Sequence, residues 1–494
     1  MEKKVLVLIS IAFTCYSLNK CYAISNDKNE SSPLFTNKFQ NNPITISGVV
    51  KDKESGESLP YANVIVKGTN IGATTNEDGF FTLFDVPSEN STIMVQFMGY
   101  KTEFLTLTNE LAYNKIIVLM TPDSNQLDEV VISLDSGREI MKMNKNVSQI
   151  SLSPKKLATI PNLGEKDIFR ALQLIPGVSG TNESSSGLYI RGGTPDQNLV
   201  LLDGFTVYHV DHFYGFFSAF NSDVIKDIQL FKGGFPAEYG GRISSVMDLT
   251  GKTGNSNKFS LSGSLSLLSA NATVEIPVGK KANLLISGRR SYTDILKSGL
   301  YNNIFDLYND SGPSNEGNLP IQARILQNQL QPSFYFYDLN AKFSYKPTNK
   351  DIISVSIYNG EDNLDSSREN QNIIGSGTDQ ERTINANVED LLNWGNLGSS
   401  VRWARQWGDK FYTNVVGAYS NYFSQRKRIN DISVQLSDST IKNKIGLIED
   451  NNLKDFTLRI HNEYKINSKQ SIEFGAQLTK NEVDYNYSIN DTIT

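Results

Sequence analysis

Cysteine and histidine are scarce in this chain, with two cysteines and three histidines among 494 residues. Both cysteines, Cys15 and Cys21, fall within the first 23 residues. There Lys3 and Lys4 precede the apolar run Val5–Phe13, and Cys21-Tyr22-Ala23 offers a small-x-small cleavage site, the layout of an export signal. Neither cysteine follows a lipoprotein signature, so simple cleavage after residue 23 is expected. The exported chain then carries no thiol, which excludes disulfide staples, cysteine-ligated metals and a cysteine nucleophile. Basic charge is lacking too. The net charge is −6, and it falls to −8 once the leader removes three lysines and one glutamate, a poor balance for binding nucleic acid. No later run reaches the ~18 apolar residues of a membrane helix, so a membrane role would have to come from strands closed into a barrel. Enzyme signatures are missing as well: there is no Gly-x-Ser-x-Gly elbow, no His-Glu-x-x-His and no phosphate loop. No catalytic residue, cofactor or metal is expected.

Aromatic and alternating patterns are abundant, with 22 Tyr and 25 Phe. From residue 257 the apolar period is two: Phe259, Leu261, Leu265 and Leu267 alternate with serines, and further runs follow at Tyr335–Tyr345, Ile353–Ile357 and Phe456–Ile466. Short turns at 279–283, 347–350, 408–410 and 467–470 interleave with polar stretches at 293–333, 361–393 and 425–453, read as long loops. Tight turns at one end and long loops at the other are the asymmetry of an outer-membrane barrel. About nine strands fit between 257 and 480, an odd count that leaves the wall of residues 257–494 a fragment. A soluble antiparallel sandwich with one wet face would alternate in the same way.

Ahead of the wall, residues 24–43 are polar and read as a flexible tether. Short apolar strands separated by turn clusters then fill 44–120, a small β-sandwich. Asn76-Glu-Asp-Gly79 is read as a plain turn, since the closing Glu of a calcium loop is missing. Within the linker 121–139 lies Leu127-Asp128-Glu129-Val130-Val131-Ile132, a β-prone segment between polar flanks. It is suited either to joining a partner's sheet edge or to serving as the sandwich's last strand. Residues 140–250 set glycine pairs beside charges: Arg191-Gly192-Gly193, Asp203-Gly204 and Gly240-Gly241-Arg242. A helix is expected over Glu165–Ile175 and strands over Asn198–Leu202 and Val224–Phe231. Charges such as Arg191, Asp203, Lys232, Glu238 and Arg242 are costly in an apolar core unless paired, whereas a polar barrel lumen supplies partners. The expected fold is therefore mainly β: a transthyretin-like sandwich, an α+β plug, and part of an antiparallel transmembrane barrel.

Two resemblances sharpen this reading. Ile46-Ser-Gly-Val-Val50, Pro60-Tyr-Ala-Asn-Val64 and Gly72–Phe81 resemble the carboxypeptidase-regulatory-like domain, an accessory module without peptidase activity of its own. The order of sandwich, Leu-Asp-Glu-Val-Val segment, Arg-Gly-Gly plug and alternating strands resembles TonB-dependent outer-membrane receptors of the Bacteroidetes type. That resemblance implies an energy-coupled importer of an oligosaccharide, peptide or metal chelate, with the sandwich in the periplasm and the wall in outer-membrane lipid. It implies that the inner-membrane protein TonB grips Leu127–Ile132, that Arg191, Gly192, Gly193, Asp203, Gly204, Gly240, Gly241 and Arg242 hold the plug to the barrel wall, and that a surface lipoprotein is a partner. His209 and His212 lie in an aromatic plug loop and are candidates to face the substrate, without metal. The glycan-importing branch usually continues its segment into Thr-Gly-Tyr-Gly, where this chain has Ser133-Leu-Asp-Ser136. Other readings are a surface-binding or signalling receptor without transport, and an exported hydrolase, for which no nucleophile and base are found.

Overall fold

The computed structural model describes residues 43–87, 90–108, 115–123, 141–143, 148–154, 166–180, 187–215, 217–303, 332–374, 382–436 and 439–493. Seven strands make the first layer pair: β1 (Ile44–Asp52), β2 (Asn63–Val66), β3 (Gly72–Thr74), β4 (Phe80–Val86), β5 (Thr92–Gln96), β6 (Glu103–Thr106) and β7 (Ile116–Met120). They form two sheets, in the orders β4-β1-β7 and β3-β2-β5-β6. Alternation places Ile46, Val50, Val64, Val66, Ile93, Val95, Ile116 and Val118 on the facing surfaces, where all are buried.

The plug is built on a six-stranded sheet. Its strands are β8 (Met141–Met143), β9 (Gln149–Leu152), β12 (Asn198–Leu202), β13 (Phe205–Thr206), β16 (Ile225–Phe231) and β17 (Ser245–Gly251), in the order β13-β12-β17-β16-β9-β8. Small two-stranded pairs flank it: β10 (Val178–Ser179) with β11 (Tyr189–Ile190), and β14 (Asp211–His212) with β15 (Phe217–Ser218). The helix α1 is Ile168–Gln173, shorter than the expected Glu165–Ile175. Asp167 sets its start by accepting from the Arg170 amide at 3.0 Å, and Pro176-Gly177 follows the helix. Ile168, Ala171, Leu172 and Ile175 are buried in the plug core as their spacing predicts.

The third part is one antiparallel sheet of ten strands. These are β18 (Ser260–Leu265), β19 (Ser269–Val278), β20 (Ala282–Ser291), β21 (Ser333–Tyr345), β22 (Asp351–Asp365), β23 (Arg368–Ile374), β24 (Arg382–Gln406), β25 (Phe411–Gln435), β26 (Thr440–Asn467) and β27 (Gln470–Ile493). The tight turns stand where the sequence placed them, but two of the expected long loops do not exist. Residues 361–393 are mostly strand, holding the end of β22, all of β23 and the start of β24, while 425–453 is a hairpin of β25 and β26. Polarity was the misleading cue. A strand needs ~10 residues to cross a bilayer, and its continuation into water keeps the backbone ladder while losing the apolar phase.

Along the outer face, Leu339, Phe343, Ile357, Val401, Leu458 and Leu478 stay exposed, whereas inward positions such as Ser354, Ser356, Ser400 and Ser420 are buried and polar. Alternation with this polarity suits a wall that has lipid outside and a filled lumen inside. On β21 the outward aromatics run from Tyr335 to Tyr345. Ten residues at ~3.3 Å each span ~33 Å along the strand, or ~25 Å across the bilayer at a tilt of ~40°. No described helix is long and apolar enough to cross a membrane.

Candidate functional site: the plug against the inner wall

The Asp203-Gly204 turn joins β12 to β13, with Leu202 paired to Phe205. Both turn residues have positive φ, 47° and 91°, as a two-residue type I′ hairpin requires, which is why Asp-Gly stands there. The turn is pressed into the wall. Lys342 Nζ donates to Asp203 Oδ1 at 2.6 Å, Ser356 Oγ to Oδ2 at 2.7 Å, and Ser400 Oγ to the Asp203 carbonyl at 2.8 Å. Burial would raise the Asp203 carboxyl, but the Lys342 ammonium and the hydrogen bonds outweigh it and hold the group below its usual range. A Cβ on Gly204 would come 2.9 Å from Val416, and one on Gly398 of β24 would come 2.2 Å from the Phe205 ring. Gly398 thus leaves the hollow that seats Phe205.

A second anchor lies on β14. His212 is 2% exposed, and its ring sits between two wall carboxylates, with Nδ1 2.8 Å from Asp362 Oδ2 and Nε2 2.9 Å from Asp338 Oδ1. Phe336 stacks on it at 4.2 Å, and Arg289 Nε donates to Asp338 at 2.6 Å. Burial would lower the imidazole, yet the two carboxylates overcome it and push it up to about 10, so the ring is a cation bridging plug and wall. Sequence made His212 a substrate-facing candidate; its side chain is instead consumed by the wall. The signal missed was Asp338 and Lys342, charges standing at the inward phase of an otherwise apolar alternation in β21.

His209 is placed differently. Asn396 of β24 accepts from its amide at 3.1 Å and donates to its carbonyl at 2.6 Å, while the ring packs against Trp394 and Tyr422. It lines a cavity of about 320 Å³ together with Tyr208, Asp211 and Arg242.

The remaining glycine motifs serve the plug's own turns. Arg191-Gly192 is a second turn with both φ positive, closed by the Ile190–Gly193 bridge, and a Cβ on Gly193 would meet Ser244 Oγ at 2.2 Å. Arg191 is exposed and Arg242 half-buried, and Arg242 donates to the carbonyl of Gly241 at 2.8 Å. Gly240 and Gly241 have open space around them. Of the expected wall contacts, the described structure therefore brings Asp203 and Gly204 to the wall and shows Arg191–Gly193 and Gly240–Arg242 in turns of the plug. Leu127–Ile132 lies outside the described residues. Among the described residues no group of three or more His, Cys, Asp or Glu is placed to hold a metal ion.

Comparison with known proteins agrees with this geometry. Residues 145–246 match the TonB-dependent Receptor Plug Domain, and residues 46–132 match the CarboxypepD_reg-like domain. The chain thus carries the plug domain of TonB-dependent receptors behind a CarboxypepD_reg-like domain. Among curated relatives, this chain is 28% identical over 242 residues to TonB-dependent receptor P3 of Formosa agariphila, covering 47% of this chain and 23% of that one. It is 30% identical over 239 residues to TonB-dependent receptor SusC of Bacteroides thetaiotaomicron, covering 45% and 23%. The matched part thus spans less than a quarter of the length of these relatives. Among solved structures, the siderophore receptor PirA of Acinetobacter baumannii overlays with a TM-score of 0.36 at 12% identity, over 71% of this chain and 59% of that one.

Proposed function

We propose that this receptor serves energy-coupled uptake of a nutrient across the outer membrane, with the plug closing the barrel and TonB displacing it by pulling on Leu127–Ile132. The observation that carries the reading is how the plug is held. Its contacts to the wall at Asp203, Tyr208, His209 and His212 are hydrogen bonds and ion pairs to polar inward side chains. At these contacts the plug trades protein partners for water when it moves, at a far smaller net cost than the same area of apolar contact, such as Phe213 and Phe217 against Phe334 and Phe336, incurs. The wall's apolar exterior supports placement in outer-membrane lipid, and its tight-turn end, where the sandwich sits, is assigned to the periplasm. The cargo is an oligosaccharide, a peptide or a metal chelate, delivered with help from a surface lipoprotein.

Deleting Leu127–Ile132 from the full-length receptor tests this. The expected result is loss of growth of the native host on the nutrient that induces the receptor, with the receptor still present in the outer-membrane fraction. Retained growth would sink the uptake reading. A receptor that instead senses or binds at the surface would keep its transport-free role in that deletion and lose signalling when residues 44–120 are removed.

A further inference from the structure

The sandwich does not hang free beneath the barrel; its acidic turn is plugged into the inner wall. Asn76 Oδ1 accepts from the amides of Asp78 and Phe80 at 3.1 and 3.0 Å, which folds the turn. Arg402, an inward residue of β24, forks onto both acids: 2.8 and 3.0 Å to the two Asp78 oxygens and 2.9 Å to Glu77 Oε2. The Tyr412 hydroxyl donates to Asp78 at 2.7 Å and Asn414 donates to Glu77 at 3.1 Å. Asp78 is 5% exposed, so the pair is desolvated, and removing one partner leaves the other charge buried. Beside it, Val49 and Phe80 of the sandwich pack with Ile352, Ala404 and Tyr412 of the wall in one buried apolar cluster.

The same domain also grips the plug at its exit. Between β17 and the first wall strand β18 runs the segment 252–259, through which the plug leads into the wall. Glu57 Oε1 accepts from both the amide and the hydroxyl of Thr253, the latter at 2.9 Å, and the Ser55 carbonyl accepts from Ser256 Oγ at 2.7 Å. Farther out, Ser47 donates to Asp409 at 2.6 Å and Ser468 donates to Asp85 at 2.7 Å, tying the sandwich to two of the wall's tight turns. A domain that was only a passenger on a linker would need none of these contacts with plug, wall and turns at once.

We propose that the sandwich is a latch. Docked through Glu77 and Asp78 on Arg402, it pins the plug's exit segment against the wall, and it must leave before the plug can. The proposal rests on the uptake reading for its purpose, although the contact itself can be tested without any cargo. The full-length receptor is placed in a planar bilayer with potassium chloride on both sides, and the urea concentration at which potassium current appears reports release of the plug. Ser47→Cys and Asp409→Cys, joined by a short cleavable bis-maleimide, should keep the pore closed at urea concentrations that open the same protein after the linker is cleaved. Asp78→Asn, without any cross-link, should open at lower urea than the wild type. Equal thresholds for the joined and cleaved protein would overturn the latch, as would equal thresholds for Asp78→Asn and the wild type. Neither result depends on import, so a receptor that imports nothing fails the uptake reading and leaves the latch standing or falling on its current alone.

Discussion

Individual side chains show how a plug can be both tight and removable. Asp203 and Lys342 form a buried pair in which each charge has further hydrogen bonds, the arrangement in which removing one partner costs about 3–5 kcal/mol while replacing both costs far less. Lys342→Met should therefore lower the urea midpoint of the plug strongly, and Asp203→Asn combined with Lys342→Met should recover much of the loss, as followed by protease resistance of the plug in the purified full-length receptor. His212 adds a pH dependence whose sign follows from its raised pKa. The ordinary value is 6.5 and the docked ring titrates at about 10, so its stabilisation is complete below the first value and disappears as pH rises through the second. A comparison of wild type with His212→Gln across that range should show a stability difference that is constant below about 6.5 and closes as pH rises through about 10. Asp338, Asp362 and Arg289 face the ring and set that range. From sequence His212 read as a loop residue open to cargo, because the carboxylates that surround it lie 126 and 150 positions away in the chain.

Strands and turns were more legible than side-chain partners. Period-two alternation in 335–345 or 353–357 states which residues face out, and the structure agrees at Leu339, Phe343 and Ile357. A charge on that face should be costly: Leu458, 51% exposed on β26, replaced by Arg should destabilise insertion by ~2–4 kcal/mol if it sits near the bilayer midplane, measured by folding into lipid vesicles. The upper parts of β22 to β26 escaped the same reading because alternation there is polar on both faces, and only backbone pairing to neighbours such as Asn387–Asp431 keeps them extended. Glycines inside strands carried information that periodicity ignores. Gly398→Ala should drive a methyl group into the Phe205 ring and loosen the plug, while Phe205→Ala in the same protein should relieve the clash, read out as recovered protease resistance.

At the scale of the whole molecule, the meeting of three parts moves the acids there in both directions: against burial, Arg402 and Lys342 hold Asp78 and Asp203 below the usual range, whereas Glu238 and Asp248 are raised. Sandwich, plug and wall enclose a cavity of about 70 Å³ lined by Glu77, Asp78, Asp203 and Asp248 with Lys226, Lys342, Arg402 and Arg459. Burial, and then the charge of Glu77 on the docked sandwich, push Glu238 up to about 7 and Asp248 up to about 6, against partial relief from Arg459 and His461. Groups whose pKa is raised in the docked state take up protons on docking, so docking strengthens as pH falls and weakens as pH rises through about 7. The urea threshold for potassium current should accordingly drop across that pH, and Glu77→Gln should flatten the change.

The sequence by itself determined the kinds of part and their order. Alternation, glycine pairs and turn clusters are local rules, and they placed a sandwich, a plug with its Asp203-Gly204 elbow, and a strand wall with the right face outward. Only the tertiary structure decided which charges meet. Lys342 with Asp203, His212 with Asp338 and Asp362, and Arg402 with Glu77 and Asp78 join residues more than a hundred positions apart. Much of the wall's inner surface is polar, so polarity alone marks a position as inward without naming its partner. That choice is made when folding brings the plug and the sandwich turn to particular heights on the wall.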